Sequence, residues 1–205
     1  MTKYLFVIMA LVALSLLTPS GNIVAQQSTQ QPQTQTKQPS TQTVSAADKD
    51  FAMKAAEGGM AEVALGELAT KQAANDEVKQ FGQRMVTDHG KANNELKDWA
   101  SKKGVTLPSD LNAKHKALQA RLSKLSGAEF DREYIREMVK DHDKDTAAFD
   151  KQSRTGRDPE LKAWAAQTLP TLREHQKMAK DLAGKVGTTT AETGKSEKKS
   201  TKSTQ

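Results

Sequence analysis

The sequence predicts an all-α fold: an antiparallel four-helix bundle with a short connecting helix between its two hairpins. Three observations predict it. The chain is 27% charged and only 4% aromatic, and it is rich in alanine, a composition that favours helix over sheet. Apolar residues recur at three- and four-residue spacing from Phe51 to Leu182, the period of a helix with one buried face. Capping residues, glycines and prolines then cut this stretch into four long segments and a short one.

Each segment has its own start and stop. Ser45 stands three residues before Asp48, a capping pair for a first helix that runs to about Ala74 with Phe51, Ala55, Gly59, Glu62, Leu65 and Ala69 on its inner face. Asn75 caps the second, and Asp76 and Glu77 occupy its first turn, where the macrodipole favours acids. Its stripe is Val78, Phe81, Met85, His89, Leu96 and Trp99, and Lys102-Lys103-Gly104 ends it, with Pro108 just beyond. A shorter helix, about Ser109 to Leu125, carries Leu111, Leu118, Leu122 and Leu125 on one side.

Ser126-Gly127-Ala128-Glu129 reads as a capping box for the third long helix, which runs to about Thr155 with Phe130, Tyr134, Met138, His142 and Phe149 facing inward. Asp158-Pro159-Glu160 opens the fourth with a cap, a proline at the first helical position and an acid. Leu161, Ala165, Thr168, Leu172, His175, Ala179 and Leu182 make its stripe, and Pro170 inside it should bend the helix about one turn before His175. The second and third long helices align 53 positions apart, Met85-Val86-Thr87-Asp88-His89 on Met138-Val139-Lys140-Asp141-His142. That repeat is consistent with duplicated hairpins.

Around this body the sequence predicts three other segments. Residues 1–25 read as a signal peptide: Lys3, then an apolar run from Tyr4 to Leu17, a break at Thr18-Pro19-Ser20-Gly21, and Ile23-Val24-Ala25 as cleavage site. The run is short of the roughly 20 residues of a membrane span, and an uncleaved anchor is the alternative. Either places the body outside the cytoplasm, in the periplasm or outer envelope. Residues 26–47 form a Gln/Thr/Ser/Pro linker, expected to be disordered because it has too little apolar surface to offset ordering entropy. Residues 187–205 form a basic tail, also expected to be disordered, that could touch membrane or cell wall.

Composition excludes several functions. Cysteine is absent, so disulfides, thiolate metal sites, cysteine nucleophiles and lipidation at an N-terminal cysteine are all ruled out. The net charge is +6, but Lys3, Lys37 and the tail's lysine excess carry four of those charges. The helical body keeps about +2 and no basic stripe, which argues against nucleic acid as a partner. No serine or threonine nucleophile stands beside a histidine in a recognisable motif and no phosphate loop is present, so the chain leans away from enzymes.

Three of the four histidines, His89, His142 and His175, lie near the middle of long helices on the apolar face, and Glu62 does so on the first helix. Each long helix spans about 25–29 residues, roughly 40 Å, and in an antiparallel bundle mid-helix positions stay level. One carboxylate and three imidazoles are therefore expected to share a centre, as a metal site for zinc, iron, manganese or copper, or a small-ligand site. Asp88, Asp141 and Glu174 directly precede the histidines, about 100° round the helix. They are candidates to orient the rings, or surface acids. His115 falls on the connecting helix, and Glu57 and Glu67 lie off the inner stripe. The residues three before each histidine are Val86, Val139 and Leu172, so the Glu-x-x-His pairs of di-iron bundles are absent.

Met-Val-x-Asp-His, Gly127-Ala128-Glu129-Phe130-Asp131-Arg132-Glu133-Tyr134 and Leu169-Pro170-Thr171-Leu172-Arg173-Glu174-His175 together resemble a family of exported bacterial proteins, domain of unknown function 4142. The resemblance covers about residues 48–184. It implies a ferritin-like four-helix bundle at the cell envelope, with His89, His142, His175 and Glu62 matching the family's recurring residues, and it implies no activity. Two readings of the chain follow. One is a bundle that binds a transition metal or small ligand at Glu62, His89, His142 and His175, in metal handling or envelope stress. The other is a non-catalytic structural or interaction protein whose histidines are a polar network in the core.

Overall fold

A computed structural model describes residues 43–200, with side chains described to residue 187. The described residues are helical or irregular, with no strand among them. Five helices follow one another: α1 (Ala46–Gln72), α2 (Asp76–Lys103), α3 (Ala113–Leu122), α4 (Gly127–Thr155) and α5 (Pro159–Ser200). The predicted signal peptide, and all but the last few residues of the linker, lie outside the described residues.

Most predicted boundaries have a physical cap behind them. The Ser45 hydroxyl accepts from the Asp48 N–H at 3.1 Å. Asn75 Oδ1 accepts from Glu77 N at 2.7 Å and Val78 N at 3.4 Å. Gly104 ends α2 at φ 63°, in the left-handed region where glycine carries no side-chain penalty. Asp158 Oδ1 accepts from Glu160 N and Leu161 N at 3.1 and 2.9 Å.

Three expectations need correction. Ser126 makes no side-chain cap bond, so the predicted capping box does not form. Gly127 instead takes φ 61°, and Asp131 turns away to accept from Ala74 N and Asn75 N at 3.1 and 2.9 Å. The connecting helix spans ten residues rather than seventeen. It begins after Asn112, whose side chain caps it by accepting from His115 N at 2.9 Å, and residues 109–112 precede it as irregular chain. Finally, α5 does not stop at residue 186 but continues to Ser200, since no proline follows Pro170. It also runs through Pro170 as one helix, although that residue has no N–H for the Ala166 carbonyl.

α1 lies along α2, and α4 along α5; α1 also touches α4, and α2 touches α5. Contacts between paired helices run in opposite chain order. Gly66 meets Gly82 while the earlier Gly59 meets the later Asn93. Lys103 reaches Glu160 at 2.8 Å, Arg84 reaches Glu174 at 2.6 Å, and Glu77 pairs with Lys185. α3 crosses over α1 and α4, held by Gln72 donating to the Ser123 carbonyl and by Arg121 to Glu133 and Glu137.

The apolar side chains form two separate clusters. One gathers Leu65, Val78, Phe81, Met85, Phe130, Tyr134, Met138, Ala179 and Leu182. The other gathers Ala52, Ala56, Leu96, Trp99, Phe149, Leu161, Trp164, Leu169 and Leu172. Along every long helix a polar residue marks the change from one to the other: Glu62 between Ala56 and Leu65, His89 between Met85 and Leu96, His142 between Met138 and Phe149, His175 between Leu172 and Ala179.

At the outer end of the second cluster, the buried Asp48 carboxylate accepts from Gln152 Nε2 at 2.7 Å and from the N–H groups of Arg157 and Asp158 at 3.2 and 3.0 Å. One side chain thus ties the start of α1 to the α4–α5 turn. Burial alone would raise its pKa, but these hydrogen bonds outweigh burial and hold the carboxyl below its usual value.

α1 and α2 approach closely because two glycines face each other. A Cβ on Gly82 would lie 2.6 Å from the Ala69 Cβ and 2.8 Å from the Gly66 carbonyl oxygen, groups that cannot move independently of the backbone. Gly90, two turns further along α2, has nothing within 4 Å of the same point. Gly82→Ala is expected to cost about 1–3 kcal/mol through overpacking. Gly90→Ala should gain up to about 1 kcal/mol from helix propensity. Urea denaturation of both variants checks the pair; equal effects would contradict the close approach.

Candidate metal centre

His89, His142 and His175 come from α2, α4 and α5 and meet at the level where the two apolar clusters join. They are 6%, 0% and 0% exposed. Their ring centroids are 5.4–5.7 Å apart, and one ring nitrogen from each lies within 4.8 Å of the other two. Each stands on its helix where periodicity requires: His89 and His142 four residues after the buried Met85 and Met138, His175 three after Leu172 and four before Ala179. Phe81 presents its ring to two of them at 6.3 and 6.5 Å.

The hydrogen bonds fix which nitrogens are free. His142 Nδ1 lies 2.9 Å from the Met138 carbonyl. A carbonyl only accepts, so Nδ1 carries the proton and Nε2 keeps its lone pair. His175 does the reverse: Nε2 donates to Asp88 Oδ2 at 2.8 Å, leaving Nδ1 with the lone pair. These two free nitrogens, with His89 Nε2, are buried and have no hydrogen-bond partner. A buried polar atom without a partner costs about 1–3 kcal/mol. Three of them clustered across three helices are a donor set in search of an acceptor.

Electrostatics keeps that set neutral. Burial pulls the pKa of His89 well below its usual value, and the other two imidazoles add to the effect. Burial brings His142 down to about 4, against a smaller opposing contribution from its bond to Met138. Burial also lowers His175, with Asp88 pulling the other way. At neutral pH all three rings are neutral bases, the form that ligates a metal.

Asp88 behaves differently from the sequence expectation. It does not orient its neighbour His89; it crosses from α2 to α5 and holds His175. Arg84 backs it at 3.1 Å and also grips Glu174 at 2.6 Å. Burial favours protonating Asp88, but the bonds from His175 and Arg84 outweigh it and keep the carboxylate charged. Asp141 pairs with Lys144 on the surface at 3.1 Å. His115, on α3, is not among the three converging histidines, Glu57 accepts from Asn112 at 2.9 Å, and Glu67 is exposed.

Glu62 shares the level but not the cluster of free nitrogens. Its Oε1 approaches His142 Nδ1 at 4.0 Å, the nitrogen already committed to Met138. Its Oε2 and the Tyr134 hydroxyl are both buried without a partner. Burial raises the Glu62 pKa well above the usual carboxyl value, and Asp145 and Asp141 raise it further. Glu62 is therefore a neutral acid beside the histidines. Sequence reasoning did not single out Asp145, which burial pushes up to about 7, Asn93 or Trp164, and it read Thr168 only as part of a helix stripe. These four border His89 in a small cavity.

The signs of these shifts set the pH profile of the metal-free protein. A histidine with a lowered folded pKa adds stability that is complete above its unfolded value near 6.5 and is lost as pH falls from there towards about 4 for His142. Glu62 works oppositely: its folded pKa is raised, so its contribution is lost as pH rises above the unfolded value near 4.5. Glu62→Gln should therefore stabilise the protein at pH 8 and change little at pH 4. Denaturant titrations at the two pH values test this, and a variant destabilised equally at both would contradict a neutral Glu62.

Comparison with known proteins agrees with the helical fold. A DUF305 fragment from Deinococcus radiodurans is similar at TM-score 0.62 and 15% identity, covering 69% of this chain and 98% of that one. A putative secreted DUF305 protein from Streptomyces coelicolor is similar at TM-score 0.60 and 15% identity, covering 69% and 92%. CopM in its Cu(I)-bound form is similar at TM-score 0.55 and 19% identity, covering 65% and 93%. No curated protein matches the chain in sequence. The family described as domain of unknown function (DUF4142) matches residues 33–182, and the chain belongs to that family.

Proposed function

We propose that this protein is an exported helical bundle that holds one transition-metal ion at His89, His142 and His175. The observation that carries the reading is the trio of buried, unpartnered ring nitrogens on three helices, two of them fixed in the ligating tautomer by bonds on the far side of the ring. Hydrogen bonds that orient a ligating histidine in this way recur around metals. In this reading the four long helices form an antiparallel, ferritin-like bundle, and its waist is the site. The three free nitrogens would hold the ion, and modest side-chain movement would bring their present spacing within coordination reach. Glu62 serves as a neutral neighbour rather than a first ligand.

Among zinc, iron, manganese and copper, the ligand set favours monovalent copper. Three neutral imidazoles bring no negative charge, and burying an ion costs energy that grows with the square of its charge. A dication would need an anion beside it, whereas the one charged carboxylate nearby, Asp88, is already balanced by Arg84. Imidazole suits copper, and three nitrogens complete its coordination without water. The similar fold of CopM in its Cu(I)-bound form supports the choice. Exported location is supported by the N-terminal segment, and no described helix is long and apolar enough to cross a membrane. Metal handling or envelope stress protection fits both, and the lysines of the C-terminal segment offer contact with membrane or wall.

The second reading, a structural envelope protein, is favoured by the Asp88–His175 bond, which joins α2 to α5 directly. Titrating metal-free protein at pH 7 with Cu(I) under reductant, and separately with Zn(II), separates the two. One equivalent of Cu(I) is expected to bind, and His89→Ala/His142→Ala should weaken it by about a hundredfold or more while circular dichroism stays helical. Binding that ignores the histidines, or no binding, would leave the structural reading.

A further inference from the structure

We propose that the ion reaches the histidines between α2 and α5, through a passage lined by Ala92 and Thr168 that opens on a surface hollow holding the Asp88 and Glu95 carboxylates. The inference rests on the metal-site reading and adds a route to it.

A surface hollow of about 190 Å³ lies between the two helices, lined by Asp88, Lys91, Ala92, Glu95, Gln167, Thr168 and Thr171. Behind it is a cavity of about 20 Å³ that touches His89, Asn93, Asp145, Trp164 and Thr168. Ala92 and Thr168 line both, so the hollow and the chamber beside His89 share these two residues as a common wall. The chamber has room for about one water-sized species, and its wall carries unsatisfied polar atoms. His89 Nε2 and Trp164 Nε1 are both buried and without partners.

The α5 backbone beside the passage lacks one helical bond. Pro170 supplies no N–H to Ala166, and the Thr168 hydroxyl donates to its own helix at the Trp164 carbonyl, 2.9 Å away. Such back-bonding loosens a helix turn. Asn93 lies directly over Gly59, where the missing Cβ leaves space for its amide. The chamber therefore keeps a polar lining on the α1 side.

The opposite approach is less suited. A larger hollow between α1 and α4 also borders Ala55, Asp145 and Phe149; Asp48 and Asp50 line it beside Lys54, Lys151 and Arg157, and Lys54 is bonded to Asp50 at 2.8 Å. The edge-to-face pair of Phe51 and Phe149, centroids 5.0 Å apart, also lines it. A cation taking that way would have to pass two aromatic rings. On the α2–α5 side it meets two carboxylates and Lys91, whose ammonium reaches Glu95 at 3.9 Å.

Loading kinetics of the full chain test the route. Cu(I) is delivered from its bicinchoninate complex, whose colour falls as the ion transfers. Thr168→Leu and Ala92→Leu should slow loading by about tenfold or more, as a closed gate does, and Ala92→Leu should do so with equilibrium affinity and the final one-to-one stoichiometry unchanged. Glu95→Gln, at an exposed position that leaves the core intact, should slow loading a few-fold at low salt and not at high salt. Ala148→Leu, in the hollow between α1 and α4, should load like the unsubstituted protein. Unchanged rates in the first three variants, or slowing by Ala148→Leu, would overturn the route while leaving the metal site standing. If the unsubstituted protein takes up no Cu(I), the metal-site reading fails and the route falls with it.

Discussion

The rest of the structure is arranged around one costly act: removing four polar side chains from water at a single level of a helical bundle. Desolvation sets the protonation of all of them. It keeps the three imidazoles neutral and Glu62 protonated, so the waist of the bundle holds polar atoms but little net charge. What remains at that level is lone pairs and hydroxyl groups rather than paired charges. Neutral groups cannot repay their burial by mutual attraction, and only an added electrophile or proton donor can satisfy the three nitrogens together.

The histidines are held in different ways. His142 is fixed by its own helix, through the Met138 carbonyl one turn back. His175 is fixed by a different helix, through Asp88 and the Arg84–Glu174 pair behind it. The first constraint is as rigid as α4. The second depends on α2 and α5 keeping their register, so a shift of one helix past the other reaches the centre through the His175 ring. Arg84 and Asp88 are partly exposed, which puts the outer end of this linkage at the protein surface.

Much of this was legible in the sequence. The buried stripes of α2, α4 and α5 follow directly from helical periodicity, and the histidines fall on those stripes because they occupy positions where leucine or methionine would otherwise serve. Their common level follows from the similar lengths of α2 and α4 and from the comparable distance of His175 from the start of α5. The rest depended on relations between helices. Asp88 precedes His89, and nothing in the sequence says that its carboxylate turns to another helix. Glu62 sits on the right face, but its rotamer takes it to the committed side of His142. Asn93, Trp164 and Thr168 look like ordinary surface or core residues until three helices bring them to one chamber. Asp48 reads as a local capping partner and proves to hold the far turn before α5, a contact across more than a hundred residues. The Ser126 box failed because Gly127 takes a left-handed conformation that directs the chain away from the cap geometry.

Two apolar clusters joined through a polar seam leave the coupling between the two ends of the bundle to the four helices that run through both and to the polar groups between them. Polar groups couple the two ends less firmly than apolar packing would. A guest that ligates α2, α4 and α5 at the seam would add coupling free energy. Occupancy would then be read out as cooperativity, with the two ends of the bundle melting more nearly as one body when filled than when empty.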